Sequence, residues 1–321
     1  MNDRLQPLIL AALTLLAIPA LDADVTLRYK TEIKLNPSLP AQVIEQAMKG
    51  MNTAVPKESL LQLKGGKGFS SAGVNSTICD FPKQELTLLD PEGKRYATLP
   101  VRQYEEEMAA AMPQMPPEQK AAMAAMKSHV ESKATGRTAT IQGVEAEEHE
   151  VVITVEGPLM PNAPAGPLVR VVMHLWTAKA GEAVRNQAIR EMTGYSLFAV
   201  ATMNPVASME KMFQMMPGFA DTFTAVYKGL QSGGTSVILR MQMDMFMPMF
   251  GALLKQMPAG ASPFGASFDP NTAFVQLSQE LTEISPAAVP DSVFQVPVGY
   301  TSAAAADLIH DIIRETQPTS K

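Results

Sequence analysis

Between Leu239 and Phe250 the chain reads LRMQMDMFMPMF, with methionine at every second position from Met241 to Met249. Side chains alternate faces along a strand but recur every 3.6 residues along a helix. Up to Asp244, with Arg240 and Gln242 between the apolar positions, the pattern is that of a strand with one greasy face. Beyond it Phe246 and Phe250 are also apolar, and Pro248 cannot donate to a ladder, so the strand is expected to end near Met247 and a short helix, MFGALLKQM, to follow. The same alternation runs through VTLRYKTEIKL, where Leu27, Tyr29, Thr31, Ile33 and Leu35 oppose Arg28, Lys30, Glu32 and Lys34. Half-covered strands of this kind belong to antiparallel sheets.

Turn residues punctuate a series of further short strands. Ser59–Lys64, Lys67–Ala72, Val74–Asp80, Glu85–Asp90 and Arg95–Leu99 are separated by Gly65-Gly66, Pro82 and a PEG turn, and ELTLLD with KRYATL reads as a hairpin. Ala41–Met51 is expected to be a short helix. VRQYEEEMAAAM is a second, broken by PQMPP, and PPEQKAAMAAMKSHV a third, with Met123, Met126 and Val130 on one face. Strands then resume after Gly136 as Arg137–Ile141, Glu145–Val155 and Leu168–Ala178, the last carrying the only tryptophan, Trp176. Helices are expected between Gly181 and Phe219, with breaks at Gly194 and Pro205. Thr272–Ile284 is strand-like, and Ala303–Arg314 is a C-terminal helix before a polar tail. Strands flank every helical insertion and no Gly/Ser linker divides the chain, so one antiparallel α+β domain is expected.

The first 23 residues form a separate unit. Arg4 precedes an apolar run from Leu8 to Leu16, then Pro19 and the small residues Ala20 and Ala23. This is the pattern of a secretory signal peptide, too short for a comfortable bilayer span. The single cysteine, Cys79, lies far from it, so a lipidated cysteine at the cleavage site and an intrachain disulfide are both excluded. The expected location is periplasmic or secreted, with no transmembrane span in the mature chain. The formal charge of -6, without a long basic run, argues against nucleic acid as a partner.

Catalytic signatures are absent. The four histidines, His129, His149, His174 and His310, make no HExxH or other close ligand pair. KGGKG (Lys64–Gly68) lacks the Ser/Thr and helix of a phosphate loop and reads as a hairpin turn. EAEEHE (Glu145–Glu150) reads as a solvated acidic face. No catalytic residue, metal ligand set or cofactor is expected. Alternating thioethers offer soft ligands to Cu(I), but no histidine or cysteine lies between His174 and His310 to assist them. Twenty-two methionines against 6% aromatic residues favour an adaptable apolar surface instead. Its candidate contact residues are Leu239, Met241, Met243 and Met245, with Met123 and Met126 from a helix and Trp176 from a neighbouring strand.

Several stretches in order, DVTLRYKT, LLDPEGKRYATLP, MPQMPPEQKAAMAAMK, TGRTATIQGVEAEEHEV, LWTA and VPDSVFQVPVGYT, resemble an uncharacterised bacterial envelope domain related in fold to the periplasmic lipoprotein carriers (LolA-like). The resemblance covers residues 24–301, leaving 302–321 as a C-terminal helix and tail. It implies a curved antiparallel β-sheet, an open half-barrel, with helices packed on its concave face. It also implies a non-enzymatic role: an exported protein that holds a lipid or other apolar ligand between sheet and helices. A cell-envelope structural or interaction module with a self-filled cavity and an envelope protein partner is the alternative, and Cu(I) handling a third. Export carries a direct expectation: intact-mass measurement of protein from the periplasmic or extracellular fraction gives a chain beginning at Leu21 or Asp24, whereas Met1 retained in a membrane pellet indicates an anchor.

Overall fold

The computed structural model describes residues 24–42, 44–45, 47–48, 55–73, 75–111, 126–158, 165–202, 237–249 and 272–315. Six strands come first: β1 (Val25–Leu35), β2 (Glu58–Lys64), β3 (Lys67–Ala72), β4 (Asn75–Asp80), β5 (Glu85–Asp90) and β6 (Arg95–Pro100). Helix α1 (Val101–Ala111) follows, then β7 (Lys127–Ile141), β8 (Val144–Pro158) and β9 (Ala165–Ala178). Helices α2 (Glu182–Arg185) and α3 (Gln187–Thr202) lead on to β10 (Ile238–Phe246) and β11 (Val275–Ser285). A 3-10 turn (Asp291–Phe294), β12 (Thr301–Ser302) and α4 (Ala305–Glu315) complete the described chain.

All twelve described strands form one open sheet in the order β12-β6-β5-β4-β3-β2-β1-β11-β10-β9-β8-β7. It is antiparallel except where the two residues of β12 run parallel to β6. β1 to β6 form one meander and β7 to β11 another, and β1 joins them by pairing with both β2 and β11. No described helix is long and apolar enough to cross a membrane.

Several sequence expectations need correcting. Lys127–Val130, expected to end a helix, opens β7, and Lys127 pairs with Glu156 of β8. The hydrogen bonds of a long neighbour outweigh the modest helix preference of KSHV. Gly194 does not break α3, which runs through it, and a Cβ there would meet nothing within 4 Å. A single helical glycine costs only about 1 kcal/mol, which packing of the same helix can offset. The expected helices at 117–125 and 205–219, and most of the one after Pro248, lie outside the described residues.

The register defines two faces. Leu27, Leu63, Cys79, Leu86 and Leu99 project from the front; Phe69, Ile78, Leu89 and Tyr96 project from the back. On the front, Leu308, Ile309 and Ile313 of α4 and Val101 of α1 pack with Cys79, Leu86, Leu88 and Leu99. Beside them Ala188, Ile189 and Met192 of α3 bury Val25, Leu27, Leu63, Leu239 and Leu281. On the back, the strap after β11 lays Val289 and Phe294 against Ile78 and Leu89. The chain thus wraps the β6 side of the sheet before its last helix returns to the front.

Two ionic nodes fasten this wrapping. Lys64 donates to the Val289 carbonyl at 2.9 Å and meets Asp291 at 2.9 Å. Asp24, just ahead of β1, accepts from the Val289 amide at 2.6 Å. Arg95 bonds Asp90 at 2.6 Å within the β5–β6 hairpin and Asp311 of α4 at 2.8 Å. Asp90 also accepts from the Gly93 amide at 2.8 Å, and this bond first, then Arg95, holds its carboxyl below the ordinary value. A carboxyl lowered on folding contributes stability that is complete at neutral pH. That stability is lost as pH falls from the unfolded value, about 3.9, through the folded one. Asp90→Asn is therefore expected to lower stability by about 1–2 kcal/mol at pH 7, and urea titrations should show the gap from wild type closing towards pH 3.

Candidate functional site

The front face of β8 to β11 carries an apolar stripe. Val151, Met173, Met243 and Leu277 lie side by side across four strands, and Ile33 of β1 extends the row. A second row, Ile153, Val171, Met245, Val275 and Leu35, lies beside it in the same register. Directly opposed side chains on an antiparallel pair have Cβ atoms about 4.5–5.5 Å apart, so each row is a continuous apolar contact. Val151, Ile153, Val155, Val171, Met173, Leu175, Met243 and Leu277 are all buried, with Val55, Met126 and Val130 packed beside them.

The expected site residues divide around this stripe. Met243 is at its centre and only 1% exposed. Met241 and Met245 are half-buried at its border, as is Met126, which immediately precedes β7 and is not helical. Leu239 is fully buried but belongs to the neighbouring cluster under α3. Trp176 pairs with Arg240 and Glu148, one position out of phase with Leu175, so it projects from the other face. The Arg240 guanidinium carbon sits 5.9 Å from its ring centroid, and Glu280 accepts from Arg240 at 2.5 Å. Met123 lies outside the described residues.

Met173 is the central residue that methionine spacing on one strand does not reveal. Its signal is the alternation of VVMHLWT, in which Val171, Met173 and Leu175 share a face. A further pair of methionines closes one end of the face. Gly157 and Gly166 oppose each other in register. A Cβ on Gly157 would lie 3.0 Å from Met126 Cγ, and one on Gly166 would lie 3.0 Å from Met249 Sδ. Bare backbone at both positions lets two thioether side chains seat directly on the sheet.

The two rows contain no ionisable group, so their interactions are dispersion and the release of water from apolar surface. Cys79, under α1 and α4, is fully buried, and that burial pushes its thiol up to about 12. The neighbouring phenols of Tyr195 and Tyr104 are also raised, chiefly by burial. A thiol so placed is not ionised at neutral pH.

The back of the same wing is polar. Glu148 was expected on a solvated face, yet it is 2% exposed. A bulge in β7 between Ala134 and Thr138, with Gly136 at φ +77°, aims two side chains at it. Thr135 Oγ1 donates to Glu148 Oε2 at 2.6 Å and Arg137 Nη2 to Oε1 at 2.6 Å, while His174 Nδ1 lies 3.3 Å from Oε1. The carboxylate is buried because charge-assisted bonds satisfy it. Among the described residues no group of three or more His, Cys, Asp or Glu is placed to hold a metal ion.

No family model matches the chain, and no curated protein matches it. The stripe can be tested on its own terms. Met243→Ala is expected to cost about 2–5 kcal/mol through lost contacts and the cavity left behind. Gln242→Ala, exposed on the back, should stay within about 0.5 kcal/mol of wild type. Urea denaturation of the two variants measures the contrast.

Proposed function

We propose that the protein is an exported, periplasmic, non-enzymatic binder of a lipid or another apolar ligand, with the front-face stripe as its contact surface. The observation that carries this reading is the pair of uncharged rows running across β8 to β11 and onto β1, with Met173 and Met243 at their centre. Methionine has three rotatable bonds and a polarisable sulfur, so such a surface can repack around a flexible chain where a rigid aromatic surface cannot. Among the described residues the stripe gathers strand residues with Val55 and Met126. In the LolA-like arrangement the sheet curves into a half-barrel and the ligand lies between its concave face and the helices. A lipid in that position would be shielded from water along most of its length.

One observation favours a second reading. Met173 and Met243 are 0% and 1% exposed, so the chain's own residues cover the centre of the stripe. A structural or interaction module of the cell envelope, its cavity filled by its own residues, fits that burial equally well.

Native mass spectrometry before and after delipidation, with a hydrophobic fluorescent probe added to the stripped protein, separates the two. Ligand binding predicts co-purifying apolar mass and saturable probe binding. Met243→Asp should abolish that binding while the variant remains folded, because a carboxylate there is desolvated or must protonate. Gln242→Asp should leave it intact. A self-filled core predicts no probe binding by wild type and an unfolded Met243→Asp variant.

A further inference from the structure

On the back face, where β1 meets β2 and β3, lies an open cleft of about 640 Å³. Its shape follows from local irregularities. Arg28 pairs with Glu283 and Tyr29 with Leu281, so Thr282 of β11 is squeezed out of register, and its hydroxyl donates to the Arg28 carbonyl at 3.1 Å. One position further on in the same register, the Thr31 amide donates to the Lys57 carbonyl at 2.7 Å, which holds Lys57 beside β1, and Pro56 follows it along the cleft wall. Gly73, at φ +65°, turns the chain away at the end of β3. Leu60 is among the lining residues, opposite Arg28 on one side and Ser71 on the other.

The charge of this cleft runs against that of the protein. Three cations, Arg28, Lys30 and Lys57, line it against one carboxylate, Glu58, in a chain of net charge -6. Arg28 is met by Glu283 at 3.0 Å and Lys30 by Glu32 at 2.8 Å, and neither acid lines the cleft. Among the described residues Lys57 forms no ion pair. Ser71 Oγ accepts from Ser76 Oγ at 3.2 Å, which leaves its own proton available to a ligand. The volume falls in the range of small-molecule sites, about 300–1,000 Å³. Guanidinium, ammonium and hydroxyl donors around one space suit a multi-oxygen anion, because an arginine fork has five donors and Glu283 does not exhaust them.

We infer that this cleft is a recognition site for a phosphate-bearing group, with Arg28, Lys57 and the Ser71 hydroxyl as its contacts. It lies on the opposite face from the apolar stripe and does not depend on that stripe's function. A soluble phosphate ester and an anionic phospholipid headgroup present the same chemistry. The test therefore has two arms, each run on wild type and on the double variant Arg28→Gln/Lys57→Gln. In the first, the isotope-labelled protein is titrated with glycerol 3-phosphate and followed by amide NMR. In the second, flotation measures binding to vesicles of phosphatidylglycerol in phosphatidylcholine against phosphatidylcholine alone.

The expected result is a saturable response at residues 57–60 and 71–73, weakened about tenfold in the variant and by added salt. Arg28 and Lys57 are exposed, so the variant should melt with wild type and its loss of binding will not reflect unfolding. A response to the ester alone assigns the site to a soluble ligand, and one to the anionic vesicles alone assigns it to a headgroup. No saturable response in either arm, or an equal response from the variant, overturns the assignment.

Discussion

β1 is bonded on one side to β2, which follows it in the chain, and on the other to β11, which arrives near the end of the described residues. These two ladders turn a pair of meanders into one sheet. They also put Leu27 under α3 and Ile33 beside Leu277, so one strand takes part in two of the apolar clusters. The meanders themselves are local, each strand pairing with the next. The β1–β11 ladder is a long-range contact, so forming it carries a larger loop-closure entropy than the hairpins do. Lys64 and Asp24 reinforce the junction from the strap side, because both bond the backbone of Val289 just after β11.

Much of this architecture was legible in the sequence because a half-covered strand writes its burial as period two. Val25–Leu35 matches its expected bounds and faces, and the PEG hairpin forms with Leu86 opposite Leu99. The KGGKG turn joins β2 to β3, with Lys64 paired to Lys67. The methionine row behaves as one face of β10 through Met245. What alternation cannot supply is the identity of the neighbour. It does not say that β10 lies between β9 and β11, and so it does not bring Met173 to Met243 or turn Trp176 towards Arg240.

The misread stretches share a physical cause, a tertiary partner that overrides a local preference. KSHV is compatible with either a helix or a strand until β8 offers it a ladder. Glu148 has every mark of a solvated acid until the bulge at Thr135–Arg137 brings a hydroxyl and a guanidinium to it. The back-face cleft has no signature at all in the sequence. It arises from the offset at Thr282 and the turn at Gly73, two irregularities far apart in the chain.

The two ends of the sheet are finished in different ways. Beyond β6 the chain adds the two residues of β12 and then folds α4 over the front. At the other end β7 is fifteen residues long and, among the described strands, pairs with β8 alone. Long edge strands are templates for stacking one molecule on the next unless charge or a bulge interrupts them. Here Lys127, Lys133 and Arg137 line it, and the bulge that carries Thr135 and Arg137 to Glu148 breaks its straight run of donors. The contact that buries a carboxylate on one face therefore has a second effect at the margin: the same bulge bends the strand away from the straight geometry that an invading strand would need.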